Sequence, residues 1–174
     1  MKLEYDNIII REAISEDVEQ LRSWWNDGMV MEHAGFPDGL GISSDEMKDV
    51  IRKSNGGLHM VIYKNIPIGE INYSETDVDI CQIGIKICDF TRQNQGLGKV
   101  ILSLFINALF NDYGYQKIIL DTNLSNSRSQ YVYEQLGFEK IRINHNSWKD
   151  QLGRWQSSVD YELTKDSFIS FLEE

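Results

Sequence analysis

Two groups of side chains in this sequence are spaced so that they could bind and react. The first is Gln93-Asn94-Gln95-Gly96-Leu97-Gly98-Lys99, which follows the apolar run Ile83-Gly84-Ile85-Lys86-Ile87-Cys88 and leads into Val100-Ile101-Leu102. A helix that begins at these glycines presents backbone N–H groups with no partner inside the helix. With the positive end of the helix dipole, they form a site for an anion such as a phosphate. Gly96 and Gly98 have no Cβ to obstruct a bulky diphosphate. The second group is Asn126, Ser129 and Tyr133. A helix of about 3.6 residues per turn brings these three onto one stripe. That stripe carries an amide, a hydroxyl and a phenol, and a phenol of ordinary pKa about 10 is a proton donor.

Two familiar phosphate loops fail on named residues. A dinucleotide fingerprint needs a third glycine where this chain has Ile101, although Asp121 stands near the place of a ribose-binding acid. A nucleotide P-loop needs Ser or Thr after the lysine, and here Val100 follows Lys99.

The elements that must position these residues can be read from turn and cap signals. Ile8-Ile9-Ile10 begins a strand, and Ser15-Glu16-Asp17-Val18-Glu19 opens a helix that stops near Gly28. Ala34 to Gly41 is a glycine-bearing loop around Pro37. Ser44-Asp45-Glu46-Met47 caps a second helix to about Ser54. Leu58 to Tyr63 and Ile66 to Ser74 form a hairpin at Lys64-Asn65, and Asp79 to Cys88 pairs next. The helix from Gly96 to Tyr113 buries a stripe of Ile101, Leu104, Phe105 and Ala108. A buried strand from Lys117 to Asp121 leads to the helix capped by Asn126, which Gly137 ends. Phe138 to Asn144 and Ser157 to Leu163 read as a last strand pair. Antiparallel strands followed by β-α-β-α-β predict one mixed α/β domain over residues 1–174.

The pattern Gln93-x-x-Gly96-x-Gly98 resembles the acetyl-CoA pyrophosphate loop of the GNAT N-acetyltransferase superfamily. Asn126-x-x-Ser129-x-x-x-Tyr133-x-x-x-Gly137-Phe138 resembles the helix that follows in the same family. The resemblance covers Ile83 to Phe138 tightly and the rest loosely. It implies a central, mostly antiparallel sheet with a β-α-β-α half that binds acetyl-CoA as co-substrate. It implies that Gln93, Asn94, Gln95, Gly96, Leu97, Gly98 and Lys99 hold the pyrophosphate. Lys86, Ile87 and Cys88, on a strand that splays from its neighbour, would hold the pantetheine arm and the thioester oxygen. Asn126 and Ser129 would line that arm, and Tyr133 would protonate the departing thiolate. Read without the family, Asn126 is a helix cap and Tyr133 a core-edge aromatic. Arg92 and Arg128 are further cations near the loop, or simply solvent-exposed ones.

The general base is where the sequence departs from the family pattern. Many members carry a glutamate on this strand where Gln82 stands, so Glu70 and Asp79 become the candidates, acting directly or through water. A cationic acceptor would meet Glu32 and Asp38, with Phe36, Trp148 and Trp155 as walls. The segment Asp150 to Leu163 resembles the branch with ribosomal-protein N-terminal and spermidine acetyltransferases. The expected acceptors are therefore a small cationic amine, such as a polyamine or aminoglycoside, or a peptide N-terminus. A CoA-binding module without chemistry is the competing class.

Composition sets the outer limits. With 174 residues, 41% hydrophobic and 11% aromatic, the chain can bury a sizeable core. Its formal charge is −10, and Glu12 to Asp49 holds ten acidic against two basic residues. Nucleic acid is an unfavourable partner for such a surface, whereas a cationic substrate is favoured. No leader or membrane span is read, a cytoplasmic location is expected, and the oligomeric state, a homodimer included, is left open. Cys81 and Cys88 lie roughly 23 Å apart if on one extended strand, so they read as free thiols on opposite faces. His33, His59 and His145 are too scattered to suggest a metal site.

Overall fold

The computed structural model describes residues 1–173. The strands are β1 (Lys2–Tyr5), β2 (Ile8–Glu12), β3 (Leu58–Tyr63), β4 (Ile66–Asp77), β5 (Ile80–Ile87), β6 (Lys117–Asn123), β7 (Glu139–Lys149) and β8 (Trp155–Thr164). The helices are α1 (Val18–Trp25), α2 (Gly28–Met31), α3 (Ser44–Lys53), α4 (Leu97–Asn111) and α5 (Ser127–Gln135), with short 3-10 turns at Ser15–Asp17, Glu32–Ala34 and Phe90–Arg92. All eight strands join one sheet in the order β1-β2-β3-β4-β5-β6-β8-β7. Every pair is antiparallel except β5 with β6.

That exception shapes the molecule. The parallel pairing runs only from Ile80↔Lys117 to Gln82↔Ile119. Beyond it β5 continues to Ile87 against β4 alone, and β6 continues to Asn123 against β8 alone. The sheet therefore opens like a V, with α4 leaving one arm and α5 the other.

Apolar alternation decides the two layers. One face of β2–β8 buries Ile10, Ile71, Ile83, Ile118 and Tyr161 against Phe105, Ile106 and Leu109 of α4 and Leu136 after α5. The other face buries Met60 and Leu58 against Leu21 and Trp24 of α1 and Met47 of α3. Cys81 belongs to the first cluster and Cys88 to the second, so the two thiols do lie on opposite faces.

Local chemistry places most boundaries. Lys64 and Asn65 both have positive φ (50° and 64°), the twist a two-residue hairpin loop needs between β3 and β4. Ser43 caps α3 and exchanges hydrogen bonds with Glu46 in a capping box, one residue before the Ser44 cap expected from the sequence. Gly28 does not simply stop a helix: Asp27 caps it, and α2 begins there. β1 was not expected, and β7 runs five residues beyond the anticipated end at Asn144, to Lys149.

Candidate active site

The loop between β5 and α4 is wound by two left-handed residues, Asn94 (φ 58°) and Gly96 (φ 75°). Gly96 is the N-cap of α4 and offers no side-chain cap, so the first amides of the helix stay free for a ligand. A Cβ placed on Gly96 or Gly98 would meet nothing within 4 Å, which leaves the approach to these amides open. The Gln95 amide donates to the Thr91 carbonyl at 2.8 Å and steadies the loop. These are the groups a diphosphate requires.

Gln93 has a further place. Its amide donates to the Ile87 carbonyl at 3.1 Å and its oxygen accepts from the Arg128 guanidinium. One side chain thus links the end of β5 to the start of α5, across the mouth of the V. Lys99 points elsewhere: its ammonium donates to Gln135 at 2.8 Å and lies 4.7 Å from the centre of the Phe171 ring. Its backbone, in the first turn of α4, remains at the loop.

On the other arm Asn126 caps α5, its oxygen accepting from the Ser129 amide at 3.3 Å. Tyr133 follows on the same stripe and is buried, its ring 5.7 Å from Phe138 and 5.9 Å from Tyr161. Burial pushes its phenol up to about 12, the Ser129 hydroxyl opposes that shift, and the Asp121 charge adds to it. A phenol so raised is fully protonated at neutral pH, the state a general acid needs.

Lys86 and Ile87 end β5, where it pairs with β4 alone, and Cys88 follows it. Lys86 is tied down: its ammonium meets Glu70 at 2.9 Å and lies 5.7 Å from the centre of the Trp25 ring. Burial, followed by the Glu70 charge, pushes the Cys88 thiol well above its ordinary value, and burial pushes Cys81 up to about 12. Neither cysteine is a ready nucleophile.

The expected bases fall in different places. Glu70 is fully buried, with Trp25 Nε1 donating to one oxygen at 3.1 Å and Lys86 to the other. Asp79 lies away from the anion loop. It sits in the β4–β5 turn, at the end of β5 opposite the anion loop, and its carbonyl accepts from the Gln116 and Lys117 amides.

The residues expected to meet an acceptor lie toward the face of the sheet that carries α1–α3. The Glu32–Ala34 turn comes over β6, and Glu32 and Asp38 are exposed there while Phe36 is half-buried. Gln151, in the turn between β7 and β8, fastens this loop. Its amide N–H donates to the Gly35 carbonyl at 2.8 Å, its side-chain oxygen accepts from Asp38 at 3.0 Å, and its side-chain nitrogen donates to Gly39 at 2.9 Å. Trp148 lies over Gly35 so closely that a Cβ there would come 2.4 Å from its ring. Trp155, by contrast, is exposed beneath Lys149.

A cleft of about 300 Å³ opens on the β6–β8 surface, lined by Gln82, Ile119, Asp121, Ile141, Asp160 and Glu162 among others. Asp160 is neutralised by Arg142 at 3.0 Å and by Asn144 at 3.1 Å. Asp121, its register partner, makes no ion pair among the described residues. Desolvation and then the Asp160 charge push the Asp121 carboxyl above its ordinary value. The sequence offered Asp121 only as a ribose-binding acid. Its place in this cleft depends on cross-strand register, which no local signal carries.

The architecture finds counterparts. A family described as the acetyltransferase (GNAT) domain matches residues 7–139. An aminoglycoside N(6′)-acetyltransferase type 1 of Klebsiella pneumoniae is 23% identical over 151 residues, 78% of this chain and 75% of the relative. A ribosomal L7/L12 α-N-protein acetyltransferase in complex with coenzyme A superposes with a TM-score of 0.84 at 13% identity, over 96% of this chain and 99% of that one. A spermidine N-acetyltransferase from Vibrio cholerae, in complex with CoA and spermine, gives 0.81 at 17% identity, over 92% and 97%.

Proposed function

The chain belongs to the GNAT acetyltransferase family, and on that premise we propose that it moves an acetyl group from acetyl-CoA to a small cationic amine, with Tyr133 as general acid. The observation that carries this reading is the V between β5 and β6, with anion-binding amides of α4 at one arm and a protonated phenol on α5 at the other.

Acetyl-CoA supplies an activated acyl carbon on a thiol that must leave. The α4 amides from Leu97 to Lys99 hold its diphosphate, and the Gly98 surface lets it approach. The free edge of β5 from Ile83 to Ile87 offers backbone groups to the extended arm, as an added strand would use them. Asn126 and Ser129 border the same passage. Tyr133 gives its proton to the sulfur as the C–S bond breaks, so a free thiolate does not accumulate.

The choice of a cationic acceptor rests on charge. Glu32, Asp38 and Asp121 lie on the acceptor side, and the surrounding N-terminal segment is strongly acidic. The relatives' names include aminoglycoside and spermidine acetyltransferases, which fits the same class.

The test is release of CoA thiol from acetyl-CoA with spermidine, an aminoglycoside, or short peptides with free N-termini. Release with either small amine supports the reading. Acetylated peptide with both small amines inert would move the acceptor to a protein N-terminus. CoA binding with no release from any of them would favour a module without chemistry.

A further inference from the structure

The structure assigns the proton-accepting role toward the acceptor amine to Asp121, a step beyond the reading above on which it rests. Three placements carry this. First, the β5 residue that lines this cleft is Gln82, whose amide cannot take a proton. Second, Gln82 pairs with Ile119 in the last rung of the β5–β6 ladder. Asp121 stands two residues farther along β6, so it projects from the same face into the same cleft, just inside the open part of the V. Third, Asp121 is near enough to Tyr133 for its charge to act on the phenol. Tyr133 packs with Tyr161 in the core on one face of the sheet while Asp121 lines the cleft on the other, so the gap where β5 and β6 part is the passage through which a base and an acid would serve one transfer.

The arrangement is also costly unless it is used. Asp121 and Asp160 are direct cross-strand partners, and like charges in that position destabilise a sheet. Asp160 is relieved by Arg142 and Asn144, and Asp121 is not. The charged and titratable groups around Asp121 are Asp160 and Glu162 on β8, Arg142 on β7, Tyr133 on α5, and Glu32 and His33 on the turn above β6. Glu162 is itself paired with Lys117, at 3.3 Å. Asp121 is therefore the cleft carboxylate left free to receive an ammonium.

The step balances. An ammonium R–NH3+ enters the cleft and gives one proton to Asp121. The neutral nitrogen attacks the acyl carbon, the C–N bond forms, and the C–S bond breaks. Sulfur takes the Tyr133 proton, and the second proton lost by nitrogen restores the phenol. Asp121 then releases its proton to water, so the sum is amide, free thiol and one proton.

The experiment compares the unaltered chain with Asp121→Asn and Asp121→Glu, following CoA release with spermidine and with an aminoglycoside from pH 6.5 to 9.5. Acetyl-CoA affinity and melting temperature are measured alongside. The unaltered chain must turn over; silence with every amine overturns the parent reading and this assignment with it. Asp121→Asn is expected to lose about 10²-fold in kcat/KM at pH 7. The loss should shrink about tenfold per pH unit toward the amine pKa near 10, because free amine then no longer needs a base. Asp121→Glu should regain the shallow pH profile. A near-wild-type Asp121→Asn, or a deficit equal at every pH, overturns the assignment while the acetyltransferase reading stands.

Discussion

Glu70 and Lys86 face each other across β4 and β5, carboxylate oxygen to ammonium at 2.9 Å, and the Trp25 indole closes the remaining oxygen. This cluster pins α1 to the arm of the sheet made by β4 and β5. Glu70→Ala leaves a half-buried ammonium and an indole N–H without their partner. A loss of about 3 kcal/mol is expected in denaturant unfolding. Turnover per folded molecule should suffer less than stability.

Tyr133→Phe removes the proton donor and keeps the packing. The expected result is a kcat reduced by about 10²-fold with acetyl-CoA affinity nearly unchanged. The sign of the pH effect follows from burial. A general acid works in its protonated form, and a phenol pushed up to about 12 keeps its proton through the neutral and mildly alkaline range. In the unaltered chain kcat should therefore show no alkaline decline up to about pH 10.5. A falling limb centred near pH 8 would remove Tyr133 from the role.

Gly96 and Gly98 separate folding from binding. Gly96 has φ 75°, so Gly96→Ala carries a strain of about 1 kcal/mol and should lower both melting temperature and CoA affinity. Gly98 is helical and has open space before it. Gly98→Val should leave the melting temperature unchanged or slightly higher, while acetyl-CoA binding weakens by about tenfold or more. Calorimetric titration with CoA reads the difference.

Gln151→Ala removes the two side-chain bonds that hold Asp38 and Gly39, leaving the backbone bond to Gly35. The acceptor KM should rise by about tenfold with kcat little changed, and proteolytic nicking between residues 35 and 41 should accelerate. If kcat falls instead and KM holds, the clasp shapes the reacting geometry rather than the acceptor wall.

How much of this was legible in the sequence follows from how local each feature is. The anion loop and the Asn126–Tyr133 stripe were readable, because positive φ, capping and helical spacing leave marks within a few residues. Opposite faces for Cys81 and Cys88 followed from strand alternation alone. β1 was missed because Lys2–Tyr5 is half exposed and exists through its pairing with β2. β7 was cut short because it is an edge strand whose polar, exposed residues show no alternation and whose ladder is broken by two irregularities. Asp79 was one candidate base from its strand, and direction along that strand puts it at the end opposite the anion loop. Asp121 was missed for the complementary reason: it matters through where one ladder stops and another continues.

The short ladder has a mechanical consequence. Only the rungs from Ile80 to Gln82 join the five-stranded leaf β1–β5 to the three-stranded leaf β6, β8 and β7. The two leaves are hinged there, and beyond the hinge they are coupled through helix packing, the Gln93 bridge and the Gln151 clasp on the 35–39 loop. A ligand lying along β5 in the gap would act as a wedge that stops the leaves from flexing. Amide protons between Ile83 and Ile87 that face the gap should exchange with deuterated water quickly in the free protein and slowly once CoA is bound. Protection spreading from there into β6 and α5 would mark the co-substrate as a structural member of the sheet, seated before any acceptor arrives.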